Sequence, residues 1–355
     1  MSFQLTIDMK EVTRLTRGGQ LGEAMALLQG GRSKVPSPAP TLGSFTLPDL
    51  SGKLAGLLGR AGIAPASVPA AIPAGARFEE HGFSNEAGSR AYKLYVPSSA
   101  AGRKLPLVVM LHGCTQSPDD FAAGTRMNEL AEEIGFLVAY PCQPQSANMQ
   151  KCWNWFNPAD QGRDQGEPSL IAGITRRIMA EHAVDPTSVY IAGLSAGGAA
   201  AAIMGAAYPD LYAAIGVHSG LACGAARDMP SAFAAMRQGG TAVHGGTRAT
   251  IPTIVFHGDS DSTVSPVNGD QVTAQSRASA TLRVTEESGV SEGGTRFTRR
   301  IESAGSGAPL IEQWILHGAG HAWSGGSAAG SYTDPRGPDA SREMMRFFLQ
   351  HHLVA

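Results

Sequence analysis

The sequence predicts an α/β fold in which a mostly parallel central sheet is flanked by helices. Three observations support this prediction. After Ala76, short apolar runs alternate with longer stretches of helical spacing, which is typical of βαβ units around a parallel sheet. One junction, where an apolar run ends at Gly193 and a helical stretch begins at Ala196, has the glycines of a sharp strand-to-helix turn. The chain, with 355 residues of which 43% are hydrophobic, is also long enough to bury a full core.

The chain divides by composition into an N-terminal extension, residues 1–75, and an α/β domain, residues 76–355. The segment from Asp8 to Gln29 predicts two short helices, because its partly helical apolar spacing is interrupted by a glycine pair. From Ser33 to Pro73 the sequence is rich in Pro, Ala, Gly and Ser, which is the composition of a linker with at most one short helix near Leu54 to Leu58.

Within the α/β domain, short apolar runs predict strands and amphipathic stretches predict helices. The predicted strands are Ala91–Val96, Leu105–Leu111, Phe136–Tyr140, Val189–Gly193, Ala213–His218, Thr253–His257 and Glu312–Leu316. The predicted helices are Asp119–Glu133, Glu167–His182, Ala196–Tyr208 and Ser341–His352.

Charge and hydropathy narrow the class of partner. A formal charge of −2 without a long basic run argues against a nucleic-acid partner, which needs clustered Lys and Arg. The segment Met1–Asp8 lacks the basic and apolar regions of a secretory signal, and no apolar run reaches the roughly 18 residues of a membrane span. We therefore expect a cytoplasmic protein without a transmembrane segment, with secretion as the alternative.

The cysteines do not predict a metal site. Cys114, Cys142, Cys152 and Cys223 lack the C-x-x-C spacing and the paired histidines of a zinc site. We expect buried free thiols, while a disulfide stays open because its connectivity cannot be read from sequence. No metal or cofactor is expected.

Ser195 is the candidate nucleophile. It is the central residue of Gly193-Leu194-Ser195-Ala196-Gly197, directly between a predicted strand and a predicted helix. A nucleophile elbow needs this context, because side chains two positions to either side of the serine would collide with the neighbouring strand and helix. A small-residue turn of no catalytic importance is the alternative, so the residues that follow decide between them.

An acid and a base follow Ser195 in the order that α/β-hydrolases use, which is Ser, Asp, His. The loop after the strand ending at His257 holds two acids, and we prefer Asp261 to Asp259, which is placed to bond its own loop backbone. For the base we prefer His321 to His317, because His321 lies beyond two glycines in a loop that can reach the serine. His182, His218 and His257 are expected to be structural.

An oxyanion hole requires two backbone N–H groups. We expect one from Ala196, directly after the nucleophile, and one from Cys114, in the loop after the buried strand that ends Leu111-His112-Gly113. Three tryptophans near these loops, Trp323, Trp153 and Trp155, are candidates for lining an apolar substrate pocket, with core packing as the alternative.

Six motifs taken together are specific, although none is so alone. They are Leu111-His112-Gly113-Cys114-Thr115-Gln116, Tyr140-Pro141, Cys152-Trp153-Asn154-Trp155-Phe156, Gly193-Leu194-Ser195-Ala196-Gly197-Gly198, His257-Gly258-Asp259-Ser260-Asp261 and Gly320-His321-Ala322-Trp323-Ser324-Gly325-Gly326. Their combination, over residues 80–350, resembles the polyhydroxybutyrate (PHB) depolymerase family of esterases.

The resemblance implies an α/β-hydrolase fold over residues 76–355 and a cofactor-free serine esterase. It places Ser195, Asp261 and His321 at the triad positions and Cys114 at the oxyanion position. The implied partner is a polyester or oligomeric ester substrate, poly(3-hydroxybutyrate) or a short-chain polyhydroxyalkanoate, including amorphous granules. The N-terminal helices are candidates for contact with a granule surface, and the oligomeric state stays open.

Three alternatives remain. The same family includes feruloyl and acetylxylan esterases, which would share every catalytic residue and differ in pocket shape. A serine peptidase on the same fold would cleave amides as well as esters. A non-catalytic granule-binding protein is the alternative of a different class, and the intact order of Ser, Asp and His argues against it.

Overall fold

A computed structural model of the chain describes residues 72–240, 251–277, 280–305 and 307–354. The predicted helices between Asp8 and Gln29 and almost all of the predicted linker lie outside the described residues. The boundary predicted near residue 75 therefore stays a prediction.

The described residues form twelve strands and seven α-helices. The strands are β1 (Arg77–Asn85), β2 (Gly88–Val96), β3 (Leu105–Leu111), β4 (Leu137–Pro141), β5 (Val184–Leu194), β6 (Ala214–His218), β7 (Thr253–Gly258), β8 (Arg283–Val290), β9 (Arg296–Ser303), β10 (Pro309–Leu316), β11 (Trp323–Ser324) and β12 (Thr333–Asp334). The helices are α1 (Pro118–Thr125), α2 (Met127–Ile134), α3 (Gly166–Glu181), α4 (Ala196–Ala207), α5 (Met229–Gln238), α6 (Val267–Arg277) and α7 (Ala340–Phe348), with short 3₁₀ turns at Ser98–Ala100 and Pro158–Asp160.

Ten strands form one sheet in the order β1-β2-β4-β3-β5-β6-β7-β10-β9-β8. The six strands from β4 to β10 pair in parallel, while β1, β2, β8 and β9 pair antiparallel at the two edges. The short strands β11 and β12 form a separate parallel pair. The predicted fold class, a mostly parallel sheet flanked by helices, is confirmed.

Helices cover both faces of the central strands. Alternate residues of β3 point to opposite faces, so that Val109 packs in one apolar cluster with α3 and α4, and Val108 packs in the other with α2 and α7. Because both faces are covered, the central strands read as continuous apolar runs, and this is why the sequence predicts them well.

Several elements differ from the sequence prediction. The single predicted helix Asp119–Glu133 is two helices, α1 and α2, because Arg126 between them adopts the left-handed conformation with φ 55°. The hairpin of β8 and β9 was not predicted, since β8 is almost wholly exposed and has no apolar period. Cross-strand ion pairs accompany it instead, such as Arg300 Nε to Glu286 Oε1 at 2.6 Å. The exposed strand β1 and helices α5 and α6 were also missed.

The topology gathers the candidate residues at one edge of the sheet. The loops after β3, β5, β7 and β10 follow the carboxyl ends of parallel strands, and they carry Cys114, Ser195, Asp261 and His321 respectively. Among the described helices, none has the length and apolar character that crossing a bilayer requires.

Candidate active site

Ser195 occupies a strained turn between β5 and α4. Its φ of 57° and ψ of −118° are unusual for a residue with a side chain, and its N–H donates to the carbonyl of His218 at 2.9 Å. A Cβ on Gly193 would overlap the backbone of Gly197, and a Cβ on Gly197 would overlap the carbonyl oxygen of Leu111. Both positions therefore require glycine, as the sequence analysis expected.

Asp261 and His321 form a hydrogen-bonded pair. His321 Nδ1 lies 2.7 Å from Asp261 Oδ2, while Asp261 Oδ1 accepts the N–H groups of Thr263 and Val264, each at 2.9 Å. Burial raises the pKa of Asp261, but its interactions with His321, the N–H of Val264 and the neighbouring His257 outweigh burial and hold that pKa below its ordinary value of 3.8. With Nδ1 donating to an ionised carboxylate, Nε2 of His321 is the nitrogen that can accept a proton.

The two rejected residues, Asp259 and His317, pair with each other. His317 Nδ1 lies 2.9 Å from Asp259 Oδ2, and His317 Nε2 lies 2.9 Å from Thr298 Oγ1. Thr298 belongs to β9, which pairs with the side of β10 opposite to β7. Both ring nitrogens of His317 thus have partners, one in the loop after β7 and one in the outer hairpin, and neither partner is Ser195.

His218 connects the nucleophile turn to the histidine loop. Its carbonyl accepts the N–H of Ser195, and its Nε2 accepts the N–H of Ser324 at 3.0 Å. The ring stacks between Trp323 and Phe256, with centroids 5.1 and 5.7 Å away. Burial lowers the pKa of His218 to about 3, so the ring is neutral and can accept that hydrogen bond. Its position at the end of β6 was visible in the sequence, but the connection was not.

In the described part of the chain, no hydrogen bond joins Ser195 Oγ to His321 Nε2. Bonds of this kind are often long in unliganded enzymes and tighten when substrate binds.

Two backbone N–H groups beside Ser195 are without acceptors. Ala196 is the first residue of α4, where the N–H has no intrahelical partner. No described residue accepts the N–H of Cys114. The loop that carries Cys114 lies against the nucleophile, since a Cβ built on Gly113 would lie 3.6 Å from Ser195 Cβ. These are the two groups that the sequence analysis selected for an oxyanion hole.

The expectation of four free thiols is wrong. Cys114 and Cys152 form a disulfide across 38 residues of sequence, which joins the loop after β3 to the loop before α3. Cys142 and Cys223 are free and partly exposed, and burial raises the pKa of both thiols, that of Cys223 to about 11. The fold brings the motif that contains Cys114 next to the motif that contains Cys152. The spacing of the cysteines in the sequence does not indicate this pairing.

The three tryptophans are buried, which favours the packing alternative over substrate contact. Trp153 and Trp323 are 0% and 1% exposed, and Trp155 is 6% exposed. Trp153 Nε1 donates to the carbonyl of His112 at 3.1 Å, and Trp323 Nε1 donates to Ser341 Oγ at 3.1 Å. Burial supports packing as the role of these side chains, and substrate contact by any of the three stays a prediction.

Metal ligands are not grouped in the described ranges. There, no cluster of three or more His, Cys, Asp or Glu side chains has an arrangement that could hold an ion.

Comparisons with known proteins agree with the motifs. Residues 90–296 match the family model of the esterase PHB depolymerases, a range that includes Cys114, Ser195 and Asp261 and ends before His321. Poly(3-hydroxyalkanoate) depolymerase C of Paucimonas lemoignei is 33% identical over 253 residues, which are 67% of this chain and 60% of that protein. Feruloyl esterase B of Neurospora crassa is 35% identical over 140 residues, 39% of this chain and 46% of that protein.

A solved structure shares the fold. The acetyl xylan esterase from Aspergillus awamori superposes with a TM-score of 0.59 at 20% identity, covering 74% of this chain and 94% of that one. The chain spans about half to three fifths of the length of the curated relatives named above. The family model covers more than half of the chain, and its match agrees with the resemblance in the motifs, so the chain belongs to the esterase PHB depolymerase family.

Proposed function

We propose that the protein is a serine esterase that hydrolyses carboxylic esters through Ser195, His321 and Asp261. The observation that carries the proposal is the hydrogen bond of 2.7 Å between Asp261 and His321, at the edge of the sheet where Ser195 occupies a strained turn. The N–H groups of Cys114 and Ala196, which lack acceptors, supply the oxyanion hole.

Acylation begins when Ser195 Oγ attacks the ester carbonyl carbon and gives its proton to His321 Nε2. The carbonyl electron pair moves to oxygen, where the two N–H groups stabilise the charge. The tetrahedral intermediate then breaks its bond to the alcohol oxygen, which takes the proton from His321. Asp261 stays ionised and stabilises the imidazolium.

Deacylation repeats the steps with water. His321 accepts a proton from water as the oxygen attacks the acyl-serine, and it returns that proton to Ser195 Oγ when the acid leaves. The chemistry requires only these groups of the chain, the ester and one water molecule.

Poly(3-hydroxybutyrate), a short-chain polyhydroxyalkanoate or their oligomers form the substrate class we propose. The depolymerases of Paucimonas lemoignei and Ralstonia pickettii, 33% and 27% identical, support it. A feruloyl or acetylxylan ester is the second candidate, favoured by the 35% identity to feruloyl esterase B over 140 residues. The intact order of Ser, Asp and His argues against a non-catalytic granule-binding protein, and cleavage of an amide substrate would distinguish a serine peptidase.

The compartment bears on the substrate. The cytoplasmic location expected from the first residues would suit granules or soluble oligomers. The disulfide between Cys114 and Cys152 favours an oxidising compartment instead, because the cytosol keeps thiols reduced. We therefore propose an extracytoplasmic enzyme. Contact of the N-terminal extension with a granule surface belongs to the cytoplasmic alternative.

A panel of matched esters and amides tests the proposed reaction. Wild-type protein and Ser195→Ala are incubated with a hydroxybutyrate dimer, a feruloyl ester, an acetylated xylan and an anilide. The proposal predicts ester cleavage only by the wild type, with the variant equally folded by circular dichroism. Undiminished turnover by Ser195→Ala would refute the nucleophile, and anilide cleavage at a rate like that of the esters would favour a peptidase.

A further inference from the structure

Glu167, at the start of α3, is a buried carboxylate that the reaction does not use. Its oxygens accept the backbone N–H and the Nδ2–H of Asn154, both at 2.7 Å, and a hydrogen bond from Gln143 Nε2. Arg90 Nη2 lies 3.4 Å away. The side chain is almost fully buried, and burial raises the pKa of Glu167. Such a group costs free energy to bury unless its partners are held in place.

The partners of Glu167 lead directly to the loop after β3. The backbone N–H of Gln143 donates to His112 Nε2 at 3.1 Å, and Gln143 Nε2 also donates to the carbonyl of Cys152 at 3.0 Å. Trp153 Nε1 donates to the carbonyl of His112. Two further links join the loop after β3 to the segment Gln150–Cys152. Cys114 forms the disulfide with Cys152, and the N–H of Thr115 donates to the carbonyl of Gln150 at 2.6 Å.

These contacts hold the loop after β3 against Gln143 and the segment around Cys152. His112 is fully buried, its Nδ1 lies 2.7 Å from the carbonyl of Gly113, and burial lowers its pKa to about 4, so its Nε2 stays an acceptor. Cys114 lies between His112 and Thr115, which are both hydrogen-bonded, and its own N–H has no acceptor among the described residues. The loop is thus built so that one donor is left for a ligand.

We propose that Glu167 is a positioning residue for the oxyanion hole: it fixes the segment from Gln150 to Asn154, which in turn fixes the N–H of Cys114 towards the reacting carbonyl. The inference rests on the proposed esterase function. The geometry of such donors decides their value, because an oxyanion is stabilised only by a donor already placed where its charge develops.

Replacing Glu167 with Gln keeps the size of the side chain but removes acceptors. The amide nitrogen of glutamine would face an N–H group of Asn154 or Gln143, and it cannot accept a hydrogen bond from either of them. At least one of the hydrogen bonds that Glu167 accepts is therefore lost. Complete loss of one oxyanion donor costs roughly 10²- to 10³-fold in rate, so a displaced donor is expected to cost roughly tenfold to a hundredfold.

The matched control is Glu312→Gln. Glu312 is also fully buried and accepts from Arg299 and Arg346, but it belongs to β10, and among the described residues it makes no hydrogen bond to the loop after β3. Both variants lose a buried carboxylate, but only Glu167→Gln changes a residue in the chain of contacts that leads to the N–H of Cys114.

The experiment measures kcat and KM for a soluble ester, with the active serine titrated by a fluorophosphonate so that kcat refers to folded sites. A trifluoromethyl ketone is used in parallel, because its tetrahedral adduct requires the oxyanion hole. For Glu167→Gln we expect kcat to fall roughly tenfold to a hundredfold with KM changed by less than about threefold, and the inhibition constant to rise in step with the loss of kcat. Glu312→Gln is expected to keep all three values within about twofold of the wild type.

Other results would overturn the inference. Glu167→Gln with wild-type kcat would do so, as would a fall in kcat without a change in the inhibition constant. If this variant does not fold, Asn154→Ala removes one of the hydrogen bonds to Glu167, together with those to Asn148 and the carbonyl of Ala147, and must show the same pattern at smaller amplitude. An unchanged kcat in that variant rejects the proposal. A wild-type protein that cleaves no ester would reject the proposed function and the inference together.

Discussion

We expect His218 to make the stability of the fold depend on pH, and the variant His218→Phe measures its contribution to the free energy of unfolding. The histidine ring is fully buried and neutral, stacked on Trp323 and Phe256. Phenylalanine preserves the stacked shape but has no nitrogen to accept the N–H of Ser324. A buried donor left without a partner costs about 1–3 kcal/mol, and we expect the variant to be less stable by that amount at pH 7.

The same substitution removes a pH dependence. Because burial lowers the pKa of His218 from its ordinary 6.5 to about 3, the unfolded chain binds a proton that the folded chain does not. The stabilisation is therefore fully present above pH 6.5 and is lost as the pH falls below it. The free energy of unfolding falls by ~1.4 kcal/mol for each pH unit below 6.5. At pH 5, which is 1.5 units lower, protonation of this one group in the unfolded chain has cost the wild type about 2 kcal/mol of stability.

Urea unfolding at pH 7, 6 and 5, followed by tryptophan fluorescence, measures both effects. The free-energy difference between wild type and His218→Phe is expected to shrink by about 2 kcal/mol between pH 7 and pH 5. Other buried histidines, including His112 and His257, titrate in both proteins and cancel in the difference. A difference that stays constant over this range would refute the buried, neutral state of His218.

Further predictions concern the acid, the turn and the thiols. Asp261→Asn is expected to lower kcat by about 10⁴-fold, as loss of a triad carboxylate does, while Asp259→Asn keeps kcat within about tenfold; equal losses in an ester assay would contradict the assignment. Gly197→Ala is expected to destabilise by at least about 3 kcal/mol in urea, because the new Cβ overlaps rigid backbone, whereas Gly82→Ala, which meets no atom within 4 Å, changes stability by less than about 1 kcal/mol. Alkylation of the unfolded protein is expected to modify two cysteines before reduction and four after it; four before reduction would exclude the disulfide.

The central fold was predictable because its strands are buried on both faces. Leu105–Leu111 was predicted with the bounds that the structure gives, since a continuous apolar run can only be an inner strand or a buried helix and the run is short. The strand Arg283–Val290 was not predicted, because an exposed edge strand has no apolar period to detect. The break at Arg126 depends on a backbone conformation that its residue type does not announce.

The candidate site was predictable where function imposes a local pattern. Ser195 between paired glycines is such a pattern, since the backbone approaches too closely for any other residue. The choice between two acids and two histidines depended on loop geometry, and the structure adds that the rejected residues, Asp259 and His317, bind each other. Burial of Trp323 and the disulfide of Cys114 depend on distant parts of the chain and leave no local signal.

Release of 3-hydroxybutyrate tests the central claim most directly. Purified protein and Ser195→Ala are incubated with amorphous polyhydroxybutyrate granules and with soluble oligomers, beside a feruloyl ester, and the released acid is quantified by chromatography. We predict release from polymer or oligomers by the wild type and none by the variant. Equal release by both proteins would contradict the role of Ser195, and cleavage of the feruloyl ester alone would contradict the proposed substrate.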